Sequence, residues 1–306
     1  AIDNLSTGRS ANIQSFLDHP SYKFIEGDAR DRALMEPLVA NARVVYNLAA
    51  SVGVQKIFKD PIECIENNTE VGSLILKLCH KYSTRLFMFS TSEIYGKSAV
   101  FPFRETADIT LGAYDQLRWG YACSKVIDDY LARAYFEKHQ PPGTSGRLFN
   151  TIGAQQVGSY SMVVPRLMEQ AIQNKPLTVY GTGRQSRCFT DVRDVVDILY
   201  QLVDSKESLG ELINIGTSNE LSILQLANRI IELTGSTSTI TMIPYTEAYG
   251  ENFEDMERRV PSMDKLAGLL GLGTRYGLDE TLKWIHQEMT GLPKVIAPND
   301  SAELAT

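Results

Sequence analysis

Apolar residues recur along the chain with two different periods, and the two alternate. Short runs rich in branched and aromatic residues, Tyr22 to Glu26, Arg43 to Leu48, Arg85 to Ser90 and Gly146 to Asn150, end in small or polar residues and read as strands. Between the second and third, Pro61 to Tyr82 sets Ile62, Ile65, Leu74 and Leu78 at three- and four-residue spacing. Tyr121 to His139 repeats this helical pattern before a Pro141-Pro142-Gly143 break. Strands separated by helices of this length imply right-handed crossovers and a parallel sheet, with ligands at the carboxyl ends of the strands. Further on, Met162 to Gln173, Asp191 to Leu202 and Ile223 to Leu233 read as helices. Leu177 to Tyr180 reads as a strand before the Gly181-Thr182-Gly183 turn, and Asp279 to Met289 as a closing surface helix. The tail after Pro293 reads as loose, and no internal repeat is visible.

Composition narrows the partners more than the fold. The 306 residues are 43% hydrophobic and 22% charged, which excludes disordered, collagen-like and coiled-coil readings. A net charge of -7 argues against non-specific binding to nucleic acid or to an anionic membrane surface. The four cysteines, Cys64, Cys79, Cys123 and Cys188, and the four histidines, His19, His80, His139 and His286, are scattered. They suggest neither a disulfide framework nor a metal site. No apolar run approaches the roughly 18 residues of a membrane span, so the expectation is a soluble, cytoplasmic protein with reduced thiols.

Two strings carry candidate chemistry. In Tyr121-Ala122-Cys123-Ser124-Lys125, helical spacing puts the phenol and the ammonium on one face. A cation beside a phenol stabilises phenolate and makes Tyr121 a usable base, although a core tyrosine with a solvated lysine has the same spacing. The other string, Ser90-Thr91-Ser92-Glu93-Ile94-Tyr95-Gly96, follows the third strand directly and sets hydroxyls and a carboxylate where a parallel sheet holds its ligands.

The order of these pieces, STSEIYG at a strand end, about thirty residues, YACSK opening a helix and then the strand GRLFNTIG, resembles the extended short-chain dehydrogenase/reductase family of nucleotide-sugar epimerases, dehydratases and decarboxylases. Further matches are the strings DNLSTG from Asp3, Gly27-Asp28-Ala29, NLAA from Asn47, Asp60-Pro61 with Asn67-Asn68, LTVYGTGRQSRCFTDVRD and NIGTSNELSILQLA, so the resemblance spans nearly all of residues 1–290. It implies an α/β fold: a Rossmann-type doubly wound parallel sheet over residues 1–154 and a smaller C-terminal α/β substrate domain over 155–306, with segments near 191–220 returning to the first. It also implies NAD as cofactor, a UDP-sugar or other nucleotide-sugar substrate, and a homodimer joined through the helices at 62–82 and 121–139.

By the same resemblance, Thr91, Tyr121 and Lys125 form the family's triad. Tyr121 is the base at the sugar 4-hydroxyl, Thr91 bonds the developing ketone, Lys125 holds the nicotinamide ribose, and Ser92 and Glu93 complete the catalytic set. Asp3 stands where the family binds the adenosine ribose, with Asn4, Ser6, Thr7 and Gly8 beside it. Asp28 and Ala29 flank adenine, and Leu48, Ala49, Ala50, Asn67 and Ser90 line the cofactor. Asn150, Val164, Leu177, Tyr180, Gln185, Arg187 and Arg258 match substrate-binding positions. The family's opening strand and GxxGxxG turn have no match, and the sequence starts at what corresponds to the end of the second strand. The expectation is that about thirty residues lie upstream, or that a truncated product binds NAD poorly. Among the family's reactions, overall resemblance favours a UDP-sugar 4-epimerase acting on the glucose/galactose pair or the uronates. UDP-glucuronate decarboxylase is the alternative, and a 4,6-dehydratase or a non-catalytic nucleotide-binding relative lies further off.

Overall fold

The computed structural model describes residues 1–291 apart from 141, 157–161, 251–252 and 272. The tail after Pro293, and Pro141 in the expected break, lie outside the described residues. The first half forms β1 (Ile2–Asp3), β2 (Ile25–Glu26), α1 (Arg32–Ala40), β3 (Val44–Asn47), α2 (Val54–Lys59), α3 (Pro61–Tyr82), β4 (Arg85–Thr91), α4 (Arg118–His139) and β5 (Gly143–Leu148). The second half forms β6 (Thr151–Ile152), α5 (Val163–Ile172), β7 (Leu177–Tyr180), β8 (Ser186–Cys188), β9 (Thr190–Asp191), α6 (Val192–Asp204) and β10 (Leu212–Ile215). It continues with β11 (Glu220–Ser222), α7 (Ile223–Thr234), β12 (Ile240–Ile243), α8 (Tyr245–Tyr249), β13 (Arg258–Arg259), α9 (Asp264–Leu270) and α10 (Leu278–Thr290).

The central sheet is parallel throughout, in the order β3, β4, β5, β10. Its axis is β4, whose residues from Leu86 to Ser90 are buried in an unbroken row, as expected of a strand covered on both faces. One face carries α1 and α3, with Met35, Val39, Val71, Ile75 and Leu78 packed on Leu86 and Met88. The other carries α6 and α9, with Val195, Ile198, Leu202 and Leu266 packed on Phe87 and Phe89. Strands β1 and β2 form a separate parallel pair, with Ile2 reaching the same core as α1 and α3. A second core gathers α5, α7, α10 and β7 around Leu167, Met168, Leu177, Leu226 and Ile230.

Helix α3 begins where a proline at its first turn and a capping aspartate coincide, since Asp60 accepts the Glu63 N–H at 3.0 Å. It ends at Ser83, which turns into the left-handed region. Two close approaches set α3 against α4. A Cβ on Gly120 would lie 2.8 Å from Ile65, and one on Gly72 would lie 1.9 Å from an Asp128 carboxylate oxygen. Helix α4 starts three residues before the expected Tyr121, and those residues include Arg118. The closing helix α10 also differs from the expected surface element: Thr281, Leu282 and Ile285 are buried against the second core.

Candidate active site

Strand β4 ends in Thr91, and a single 3-10 turn, Ser92–Tyr95, follows at once. Thr91 caps that turn by accepting the Glu93 N–H at 3.2 Å, which leaves its hydroxyl hydrogen to be donated elsewhere. Helix α4 brings Tyr121 alongside, close enough for Thr91 to act on its phenol. Burial pushes the Tyr121 phenol well above its usual range, the Glu93 carboxylate adds to this, and Thr91 opposes it. Lys125, one turn further on, turns its ammonium to Asp128 at 2.9 Å.

Around this group lies a buried charge cluster. Glu93 accepts from Arg118 at 2.7 Å and from Arg259 at 2.5 Å, while Asp255 pairs with Arg118 at 2.8 Å and with Arg187 at 3.0 Å. Arg118 also donates to the Glu254 carbonyl oxygen. Burial works to raise the Glu93 carboxyl, but Arg259 and Arg118 outweigh it and hold the group at about 2. Asp255 is depressed in the same way by Arg187 and Arg118 against its burial. Three arginines thus share two carboxylates, leaving one net positive charge. Asn150, with φ of 27°, ties the cluster to β8, accepting from Arg259 at 3.3 Å and donating to the Cys188 carbonyl at 2.8 Å.

These residues line a cavity of about 430 Å³ that brings together Ser90, Thr91, Glu93, Tyr121, Lys125, Asn150, Val164, Tyr180, Gln185 and Arg187. Its far wall is aromatic: Tyr180, Tyr245, Tyr249 and Phe253, with the Arg166 guanidinium 4.2 Å over the Tyr180 ring and Tyr249 stacked on Phe253 at 4.2 Å. Gln185 secures this wall by donating to the Tyr180 carbonyl at 2.8 Å. A second cavity, about 760 Å³, gathers Asp3, Asn4, Ser6, Thr7, Asp28, Ala29, Leu48, Ala49, Ala50 and Asn67. Leu48 and Ala50 line both, so the two spaces adjoin. Gly8 sits against Asp3, where a Cβ would come within 3.3 Å of the carboxylate.

Three expected residues lie elsewhere. Leu177 is fully buried in the second core, and Ser92 is fully buried beneath the turn. Arg258 is exposed, paired with Glu220 at 2.7 Å and stacked over Phe101. Adjacent strand residues point to opposite faces, and it is Arg259 that faces inward. Arg118, Arg166, Asp255 and Arg259 were not singled out from sequence. Arg118 stands three residues before Tyr121 on the same helix face, and alternation along β13 puts Arg258 and Arg259 on opposite faces. Among the described residues no group of three His, Cys, Asp or Glu side chains is placed to hold a metal ion, and no helix is long and apolar enough to cross a membrane.

Comparison with known proteins places this geometry. The family model described as NAD dependent epimerase/dehydratase family matches residues 1–216. The chain belongs to that family. It is 37% identical over 291 residues to UDP-N-acetyl-alpha-D-glucosaminuronate decarboxylase of Bacillus cytotoxicus, covering 94% of this chain and 89% of the relative. It is 30% identical to UDP-glucuronic acid decarboxylase 1 of Danio rerio, covering 94% of this chain and 66% of that one. In structure it is similar to UDP-glucuronic acid 4-epimerase from Bacillus cereus in complex with UDP-glucuronic acid and NAD, with a TM-score of 0.82, 25% identity, and coverage of 93% of this chain and 86% of that one. The Rossmann-type fold expected from sequence is therefore the fold of this NAD-dependent family.

Proposed function

We propose that the chain is an NAD-dependent decarboxylase of a UDP-linked uronic acid. The observation that carries this reading is the net positive cluster of Arg118, Arg187 and Arg259 with Glu93 and Asp255 beside Thr91 and Tyr121. The charge suits both anions of a nucleotide-linked uronate, its diphosphate and its C6 carboxylate, whereas a nucleotide hexose offers the diphosphate alone. The decarboxylase names of the Bacillus cytotoxicus and Danio rerio relatives support it. It reverses the preference for epimerisation drawn from overall resemblance. Epimerisation of a uronate is the second reading, supported by the Bacillus cereus neighbour, whose ligand also carries a carboxylate.

The larger cavity suits NAD. A carboxylate stands at a strand end with a glycine pressed against it, and the small residues Ala29, Ala49 and Ala50 leave room up to Leu48, Ala50 and Val52, where the cavity meets the one lined by Tyr121. We assign the ribose to Asp3 and adenine to Asp28 and Ala29. NAD held by these residues would supply the hydride acceptor and donor for C4. Tyr121 takes the proton of the 4-hydroxyl and later gives it back. Thr91, while accepting the Glu93 amide, can donate its hydroxyl hydrogen to the C4 oxygen. With C4 a ketone, the C6 carboxylate is a β-keto acid: the C5–C6 electron pair moves towards the C4 oxygen as carbon dioxide leaves, Thr91 and Tyr121 stabilise that charge, and C5 then takes a proton from water to restore the ketone. The aromatic wall and Arg166 receive the nucleotide end.

Incubation with NAD and either UDP-glucuronate or UDP-N-acetylglucosaminuronate, followed by product NMR, tests the reading. A nucleotide pentose lacking C6 is expected. A C4-inverted uronate without gas release would replace decarboxylation by epimerisation.

A further inference from the structure

Lys125 has a partner that the reaction itself does not use. Its ammonium is almost wholly buried, and Asp128, one turn along α4, accepts from it at 2.9 Å while being fully buried itself. The carboxylate occupies a socket in the facing helix α3 that exists only because residue 72 is glycine, since a Cβ there would lie 1.9 Å from the Asp128 oxygen. Its second oxygen, Oδ1, finds no hydrogen-bond partner. A purely structural role explains this poorly: burying an ion pair gains little stability over an apolar pair, and an unbonded carboxylate oxygen adds cost.

We propose that Asp128, seated in the Gly72 socket, is a positioning residue that fixes the Lys125 ammonium and aims it at the catalytic cavity where that cavity adjoins the larger one. An ammonium has three N–H donors. One is taken by Asp128, and the remaining two are left for the cavity that Lys125 lines, the number needed for a pair of vicinal ribose hydroxyls. Without the counter-charge, nothing on its own helix holds the buried ammonium in place, and it swings towards solvent. The proposal rests on the assignment of Lys125 to the cofactor.

Asp128 carries a second consequence. Burial pushes its carboxyl up, Lys125 opposes this, and the neighbouring Asp129 adds to it. Those two residues of its own helix are the charged groups acting on it. Asp129 is in turn held at 3.0 Å by Arg147 of β5, and the α3 residue against the Asp128 carboxylate is the uncharged Gly72. Protonating Asp128 on acidification therefore releases Lys125.

Calorimetric titration of NAD into the full chain, from about pH 5 to 8, tests this with Asp128→Asn, Gly72→Ala and Lys125→Met, each checked for folding by circular dichroism. Asp128→Asn should weaken NAD binding about tenfold or more at neutral pH, the size of a lost charged hydrogen bond, and remove the acid limb seen with the parent chain. Gly72→Ala, which displaces the carboxylate but leaves it titratable, should weaken binding similarly. Parent-like affinity and acid limb in Asp128→Asn, with Lys125→Met impaired, would overturn the positioning role alone. Parent-like affinity in Lys125→Met would overturn it together with the assignment of Lys125. Neither outcome depends on which sugar the enzyme processes.

Discussion

Replacing Arg259 by Met probes the charge cluster at its most informative point. The arginine is 7% exposed, and Glu93, at 2.5 Å, is the carboxylate it pairs with. Removing one partner of a buried pair costs about 3 to 5 kcal/mol when the other is left alone. Here Glu93 keeps Arg118 at 2.7 Å, so a cost of roughly 1 to 3 kcal/mol is expected. At roughly 2 to 4 °C per kcal/mol for a chain of this size, melting should fall by several degrees. The effect on turnover should be larger. The cluster goes from one net positive charge to none, and one unit charge about 4 Å from a developing charge is worth roughly 4 kcal/mol in a partly shielded site. A fall of about a hundredfold to a thousandfold in kcat/KM on a UDP-uronate follows. The adjacent Arg258→Met is the internal control: exposed and paired with Glu220, it should change stability by under about 1 kcal/mol and leave turnover intact. Steady-state assays with differential scanning calorimetry on both variants decide the matter. Equal activity in the two would refute the assignment of a substrate-facing charge to Arg259.

Three further outcomes are expected. Tyr121→Phe should fold and bind nucleotide almost normally while turnover falls by about a hundredfold or more; a variant keeping most of its activity would remove Tyr121 as the acid–base group. Glu93 is depressed from 4.5 to about 2, so the stability it contributes is present above pH 4.5 and is lost as pH falls towards 2. Acid-unfolding curves of Glu93→Gln and the parent chain should therefore converge over that window, and a constant gap would contradict the ion-pair account. Ile62 and Ile65 on α3 and Ile127 and Tyr130 on α4 are exposed, a face fitting the homodimer expected from sequence. Light scattering at micromolar concentration should give about twice the 34.1 kDa chain mass, and a monomer mass would reject the dimer.

Legibility in the sequence tracked how local the determining interactions are. Helix α3 could be bounded to the residue because its cap, its first-turn proline and its apolar spacing all lie within the helix and one residue before it. Helix α4 begins without any side-chain cap, so nothing local marks Arg118 as its start, and the expected boundary fell at Tyr121. Strand β2 is shorter than the apolar run from Tyr22 suggested, because its pairing is limited to the two residues of β1. Thr91, Tyr121 and Lys125 were legible as spacing within single elements. The charge cluster was not, since Arg118 meets Asp255 across 137 positions and Glu93 meets Arg259 across 166. Choosing between Arg258 and Arg259 required knowing which face of a two-residue strand turns inward.

The reaction is tested most directly by carbon dioxide release from a UDP-uronate labelled at C6, measured together with the nucleotide product. The proposed decarboxylation, with the positive cluster beside Thr91 and Tyr121 holding the carboxylate, predicts one equivalent of labelled carbon dioxide per nucleotide pentose formed, with no net NADH. Label retained entirely in a C4-inverted uronate would contradict it.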